Sequence, residues 1–173
     1  EKHAKHQAEM KKRQEEEDKQ SKQLTGRMVL MIKKLDNNDT PRDYSLAGIE
    51  LKVYSTSILC RHLAYNNTLT CLHLARKNIE DEWGVTIAQV LYTNKTLRKI
   101  ELEGNLLGPK SIKEFGKALK HNKTLCLLDL ESNQFTREGE DRECVEFFIN
   151  ALEGNKSLLS LNMANHRLAV SPG

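Results

Sequence analysis

The sequence predicts an α/β solenoid. A curved parallel sheet lines its concave face, helices cover its convex face, and a helical extension precedes it. Three observations lead there. Thr68, Thr96, Thr124 and Ser157 open successive units at spacings of 28, 28 and 33 residues. The eleven residues after each opening keep apolar side chains at shared positions: LTCLHLARKNI (69–79), LRKIELEGNLL (97–107), LCLLDLESNQF (125–135) and LLSLNMANHRL (158–168). The rest of each unit is amphipathic at helical spacing. Leu59, Ile87, Phe115 and Phe148 share one position, and Leu63, Leu91, Leu119 and Leu152 share another four residues on, on the same helix face.

Residues 1–23 contain no Leu, Ile, Val or aromatic. Lys, Gln, Glu and Ala favour a helix, and Glu15 with Lys19 and Asp18 with Lys22 pair at i,i+4. Such a helix is polar all round and buries no face of its own, so residues 1–23 read as a charged helical arm. Apolar residues are absent from a and d positions, which argues against a coiled coil. From Leu24 to Leu35 the pattern changes. Leu24, Met28, Met31 and Leu35 fall at helical spacing, and Asn37 to Pro41 marks a turn. Residues 24–39 therefore read as a capping helix and turn, because an array's end unit otherwise exposes apolar surface. Residues 40–173 form the array, about five units with the last incomplete. Its first unit, 40–67, is degenerate, with Tyr44, Leu46 and Leu51 at the strand and turn positions. In a regular unit Leu97, Ile100 and Leu102 point one way from a short strand. One strand–turn–helix unit cannot bury its own apolar face, so stacking builds the core. Asn66, Asn94, Asn122 and Asn155 end the helices, where Asn tolerates the left-handed conformation. They create recurring Asn-x-Ser/Thr sequons, read as by-products of the repeat.

The shared pattern resembles the leucine-rich repeat, LxxLxLxxNxL. A period near 28 with a full helix per unit resembles the ribonuclease-inhibitor type of that family, so the fold class is a leucine-rich repeat solenoid. The resemblance covers residues 40–173. It implies that Asn105 and Asn133 form a structural ladder of turn asparagines bonded to neighbouring backbone. Lys77 and His166 replace that Asn in the outer units, so the ladder reads as imperfect at both ends. The last interval is five residues longer than the others, an extension carried by TREGEDREC after Phe135 and a candidate partner contact.

Composition narrows the function classes. The formal net charge is +3, and the chain beyond residue 35 holds 17 basic and 18 acidic residues, which gives no dense basic stripe for nucleic acid. The longest apolar run, Met28–Ile32, is too short to cross a membrane. Cys60, Cys71, Cys126 and Cys144 form no CxxC pair and read as reduced thiols of a cytoplasmic protein. No phosphate-binding glycine loop is present, and no cofactor is expected. His3 and His6 lack further metal ligands nearby. Trp83, placed just before a helix, reads as a packing residue.

The candidate site is the concave face. Its outward positions read Cys71, Lys99, Leu127, Ser160, then His73, Glu101, Asp129, Asn162, then Ala75, Glu103, Glu131, Ala164. Glu101, Glu103, Asp129 and Glu131 converge on two strands about 4.8 Å apart. Like charges so close repel, so the patch reads either as a solvated face screened by salt or as the seat of a protein partner with a basic segment. Their spacing matches no known metal loop. The partner-binding candidates are His73, Lys99, Glu101, Glu103, Leu127, Asp129, Glu131 and Asn162. An open sheet offers no dry pocket for acid–base chemistry, and no catalytic triad converges, so no enzyme is expected. The chain reads as a non-enzymatic interaction or scaffold module in a larger cytoskeletal or ciliary assembly. FGKALKHNKTLCLLDLESN and INALEGNKSLLSLNMANHRL are similar to repeats of the tropomodulin and leiomodin family, which implies actin binding. The arm is similar to those of axonemal leucine-rich repeat proteins. The repeat type also resembles that of Ran GTPase-activating proteins, which implies stimulation of a bound GTPase.

Overall fold

The computed structural model describes residues 24–46, 49, 51–136 and 142–165. The arm, residues 1–23, lies outside them, as do residues 137–141 of the extension and His166. Among the described residues five helices alternate with five strands: α1 (Gly26–Asp36), β1 (Asp43–Ser45), α2 (Val53–Leu63), β2 (Cys71–His73), α3 (Asp81–Thr93), β3 (Lys99–Glu101), α4 (Pro109–His121), β4 (Leu127–Asp129), α5 (Arg142–Leu152) and β5 (Ser160–Asn162). The strands form one parallel sheet in sequence order, β1-β2-β3-β4-β5. This is the α/β leucine-rich repeat solenoid that the spacing predicts.

Register follows the repeat. Tyr44, Leu72, Ile100, Leu128 and Leu161 stand side by side across the sheet. Leu72, Ile100 and Leu128 are buried against the helices, together with Leu59, Ile87, Phe115 and Phe148 of the first shared helix position. Each fully buried side chain of this size contributes roughly 1.5–3 kcal/mol, so the stacked core dominates stability. Helices approach closely where small residues allow it. A Cβ on Gly84 would lie 2.7 Å from Ser111 Cβ of α4, and one on Gly116 would lie 3.2 Å from Ala151 Cβ of α5. Trp83 lies within the first turn of α3, not before it, and packs half-buried against the core.

Helix α1 is in phase with the repeat. Met31 and Leu35 precede Leu59 and Leu63 by one 28-residue period, and all four are buried. Thr25 caps this helix, its Oγ1 accepting from Met28 N at 3.3 Å.

The corner asparagines act differently from the expectation. Asn94 (φ −67°, ψ 129°) and Asn122 (φ −74°, ψ 130°) are extended, not left-handed. Their side chains explain the position. Asn94 Nδ2 donates to Leu63 O (2.7 Å) and Asn66 O (3.0 Å), while its Oδ1 accepts from Thr96 N (2.9 Å) and Leu97 N (2.8 Å). Asn122 and Asn155 repeat the arrangement one unit on. Each therefore ends one helix, starts the next strand and ties both to the preceding unit. Asn66 does the same toward α1, donating to Leu35 O at 3.0 Å.

The turns carry a second ladder. Asn105 Nδ2 donates to Leu74 O (2.9 Å) and Leu102 O (2.8 Å), and its Oδ1 accepts from Lys77 N (2.9 Å) and Ile79 N (3.1 Å). Asn133 Nδ2 bonds Leu102 O and Leu130 O likewise. Lys77 does not leave a gap. Its Nζ donates to Leu46 O (2.6 Å) and Ile49 O (3.0 Å), so the donor half of the ladder survives in an ammonium. One residue before each ladder position, Arg76, Gly104, Ser132 and Asn165 all take φ between 55° and 66°, a left-handed turn that only Gly104 adopts without a Cβ penalty.

Candidate functional site

The strands set out two outward rows, and bonds between them decide their electrostatics. Ser45, His73, Glu101, Asp129 and Asn162 are in register across all five strands. Asp43, Cys71, Lys99, Leu127 and Ser160 form the row beside them. Alternation along three-residue strands puts both rows on the face opposite the buried Leu72, Ile100 and Leu128.

His73 sits between two carboxylates. Its Nε2 lies 2.6 Å from Asp43 Oδ1, and its Nδ1 is hydrogen-bonded to Glu101 Oε2. Lys99 Nζ lies 2.5 Å from the other oxygen, Glu101 Oε1. Four titratable groups on three strands thus form one chain: Asp43, His73, Glu101, Lys99. Partial burial works against the charged imidazolium, but the bonds to Glu101 and Asp43 outweigh it and raise the His73 pKa above its usual value. Burial likewise opposes ionisation of Glu101, yet bonds to Lys99 and His73 hold its carboxyl below the usual range. The Lys99 ammonium is raised by its bond to Glu101.

The other three carboxylates also find partners within the domain. Arg76 Nη2 donates to Glu103 Oε1 at 2.8 Å. Asn162 Nδ2 and Asn165 Nδ2 donate to the two oxygens of Glu131, at 2.9 and 2.7 Å. Asp129 Oδ1 accepts from Glu131 N at 3.0 Å, a local turn bond. The repulsive cluster read from the sequence is thus largely compensated from inside. Its basic partners are His73, Lys99 and Arg76, and the repulsion that called for an external basic group is correspondingly weaker.

All eight candidates occur on or beside the sheet face, but they divide into two groups. His73, Lys99 and Glu101 are bonded together at the N-terminal half. Asp129, Glu131 and Asn162 form a polar group at the C-terminal half, with Glu103 tied to Arg76 between. Leu127 stands half-buried between Lys99 and Ser160, an apolar side chain among polar ones. Two participants were missed in the sequence, Asp43 and Arg76. Each lies 28 residues before a residue of the next unit, Cys71 and Gly104, so extending the row alignment into the degenerate unit and the turn finds both. Among the described residues no group of His, Cys, Asp and Glu is arranged to hold a metal ion. No described helix is long and apolar enough to cross a membrane.

Known proteins share this architecture. A solved structure titled Leiomodin-1 Actin-Binding Site 2 superposes with a TM-score of 0.64 at 22% identity, covering 77% of this chain and 76% of that one. The tropomodulin C-terminal domain of Caenorhabditis elegans superposes with a TM-score of 0.66 at 16% identity, covering 79% and 81%. In sequence, Protein TORNADO 1 of Arabidopsis thaliana is 30% identical over 140 residues, which is 72% of this chain but 10% of that protein. The model of the TMOD/LMOD leucine-rich domain matches residues 28–167, from within α1 to just past β5. The chain therefore belongs to the TMOD/LMOD leucine-rich domain family.

Proposed function

We propose that this domain is a non-enzymatic actin-binding module, a tropomodulin-like regulator within the cytoskeleton. The observation that carries the reading is the family match over residues 28–167, joined to a structural relative whose title describes an actin-binding site. The physical basis is preorganisation. A five-stranded sheet held by two ladders presents side chains at fixed spacing, so little ordering entropy is lost on contact. The proposed contact face comprises His73, Lys99, Glu101, Glu103, Leu127, Asp129, Glu131 and Asn162. Leu127 is its apolar anchor, and the paired charges around it confer selectivity more than affinity. A basic partner segment would share Glu101 and Glu131 with their present donors. The axonemal resemblance rests on residues 1–23 and adds nothing to the described surface.

Co-sedimentation with filamentous actin tests this. The wild-type chain should pellet with filaments, and Leu127→Asp should weaken binding about tenfold, in the range of an interface anchor lost, with an unchanged circular dichroism spectrum. Failure of the wild-type chain to pellet removes actin as the partner. Equal pelleting by a folded Leu127→Asp variant removes the concave face.

A further inference from the structure

Helix α4 is a central rib of the convex face, and its outward edge is a row of lysines. Lys110, Lys113, Lys117 and Lys120 follow at spacings of three, four and three, all exposed. At 100° per residue they fall within an arc of about 80°, spread over about 15 Å of helix. Ile112, Phe115 and Leu119 fill the opposite side and are fully buried. Lys123 extends the row, its Nζ donating to Lys120 O at 3.0 Å.

Repeat packing does not require this row. The equivalent positions are Tyr54, Ser57 and Arg61 on α2 with Ala64 just after it, Glu82, Val85, Gln89 and Tyr92 on α3, and Glu143, Glu146, Asn150 and Glu153 in the last unit. Only α4 is uniformly cationic. Like charges at i,i+3 and i,i+4 destabilise a helix, so the row carries an intrinsic penalty. Internal compensation is partial. Lys110 pairs with Glu82, and Lys117 Nζ with Glu114 Oε2 at 3.2 Å. Lys120 Nζ lies 5.4 Å from the centre of the Phe147 ring. Lys113 has no ion-pair partner among the described residues.

The neighbours restrict what fits. Glu82 stands on one side of the row, and Glu143, Glu146 and Glu153 on the other. Packed helices lie about 8–10 Å apart, so the cationic strip is only one helix wide. A nucleic-acid duplex or an anionic bilayer is broader and would press phosphates against those flanking carboxylates. A single slender chain would not. Half-exposed Tyr92 and Phe147 flank the end of the row near Lys120 and offer apolar contact there. We infer that the α4 lysine row is a second docking surface, on the face opposite the sheet, for one acidic protein segment with an apolar residue at one end. The row would match its carboxylates as point charges, independently of whether the concave face binds actin.

The test is fluorescence anisotropy with a labelled peptide of about twelve residues, Glu-Ala repeats ending in Leu-Trp, titrated with the full chain. Binding should weaken steeply as salt rises, as exposed charges are screened. Lys113→Glu/Lys117→Glu/Lys120→Glu should lose at least about tenfold in affinity, the effect of removing several exposed ion pairs and replacing them with repulsion. Arg27→Glu/Lys33→Glu/Arg42→Glu, with the same change in net charge, should lose less than about twofold. Equal loss in the two triple variants, or none in the first, overturns the proposal. So does row-dependent binding of phosphatidylserine vesicles or duplex DNA without binding of the peptide. Should the first variant unfold, the corresponding Gln triple variants give the same comparison. Actin co-sedimentation of the row variant runs alongside. Retained pelleting with lost peptide binding separates the two surfaces, and lost pelleting with retained peptide binding overturns the row alone.

Discussion

The two asparagine ladders make an informative pair. At the corners, where a helix ends and a strand begins, Asn66, Asn94, Asn122 and Asn155 keep the same residue in four consecutive units. At the turns after the strands, Asn105 and Asn133 are joined by Lys77. Both sites bind backbone of the preceding unit through a side-chain donor. They differ in what else the side chain must do. A corner asparagine accepts two amides of its own unit, such as Thr96 N and Leu97 N, and that need is the same in every unit. A turn asparagine accepts amides of the preceding turn, such as Lys77 N and Ile79 N. In the unit before Lys77, the equivalent amide, Ile49 N, bonds Leu46 O instead. Ile49 N then needs no acceptor from residue 77, and Lys77 serves there as a donor. Substitution in a repeat is thus governed by what the neighbouring unit requires.

The largest expected effect lies in the corner ladder. Asn122→Ala leaves Leu91 O, Asn94 O, Thr124 N and Leu125 N without their partner in a fully buried place. At about 1–3 kcal/mol for each buried group left unpaired, partly relieved by relaxation, the loss should be about 3–5 kcal/mol in urea unfolding. A loss below about 1 kcal/mol would contradict the corner's role as the seam between units.

The turn ladder allows a sharper exchange. Asn105→Lys keeps a donor for Leu74 O but removes the acceptor for Lys77 N and Ile79 N, and should cost about 2 kcal/mol or more. Lys77→Asn should stay within about 1 kcal/mol, because Ile49 N already has Leu46 O as its acceptor. Similar losses for both would show that position along the array, not the adjoining turn, sets the requirement.

The smallest effect concerns the sheet face. The His73 pKa is raised in the folded chain, so its contribution is fully present below the ordinary histidine value near 6.5 and fades as pH rises through the raised value. The Glu101 pKa is lowered, so its contribution is present above the ordinary carboxylate value and fades as pH falls through the lowered one. The stability difference between wild type and His73→Asn should therefore be greatest around pH 5–6 and shrink toward pH 9, with an amplitude under about 1 kcal/mol for so exposed a network. A flat difference across that range of urea midpoints would mean that the ring is not held as an imidazolium.

The fold was legible because burial repeats with a fixed period. Phe115 and Phe148 announce the same helix face as Leu59, and Ile100 the same strand position as Leu128. The candidate rows were legible for the same reason. What stayed hidden was bonding between rows. Glu101 looks like one of four repelling carboxylates until Lys99 and His73 are seen to bond it. Arg76 reaches Glu103 from a turn position that the strand pattern does not include. Partnership depends on where long side chains come to rest, and periodicity predicts only where they start. The role of Lys77 was misread similarly, since a lysine is not an asparagine in sequence but supplies the same donor in space.

The corner asparagines have one more consequence. Asn66, Asn94 and Asn122 each begin an Asn-x-Thr sequon, and the amide nitrogen to which an N-glycan would be joined is the same Nδ2 that donates to the carbonyls of the preceding unit. Those nitrogens belong to buried side chains, so a glycosyltransferase could reach them only on an unfolded chain. A sugar added there would remove a donor hydrogen and wedge the seam open. For this sequence, glycosylation at the corners and closure of the solenoid are competing fates of the same atoms.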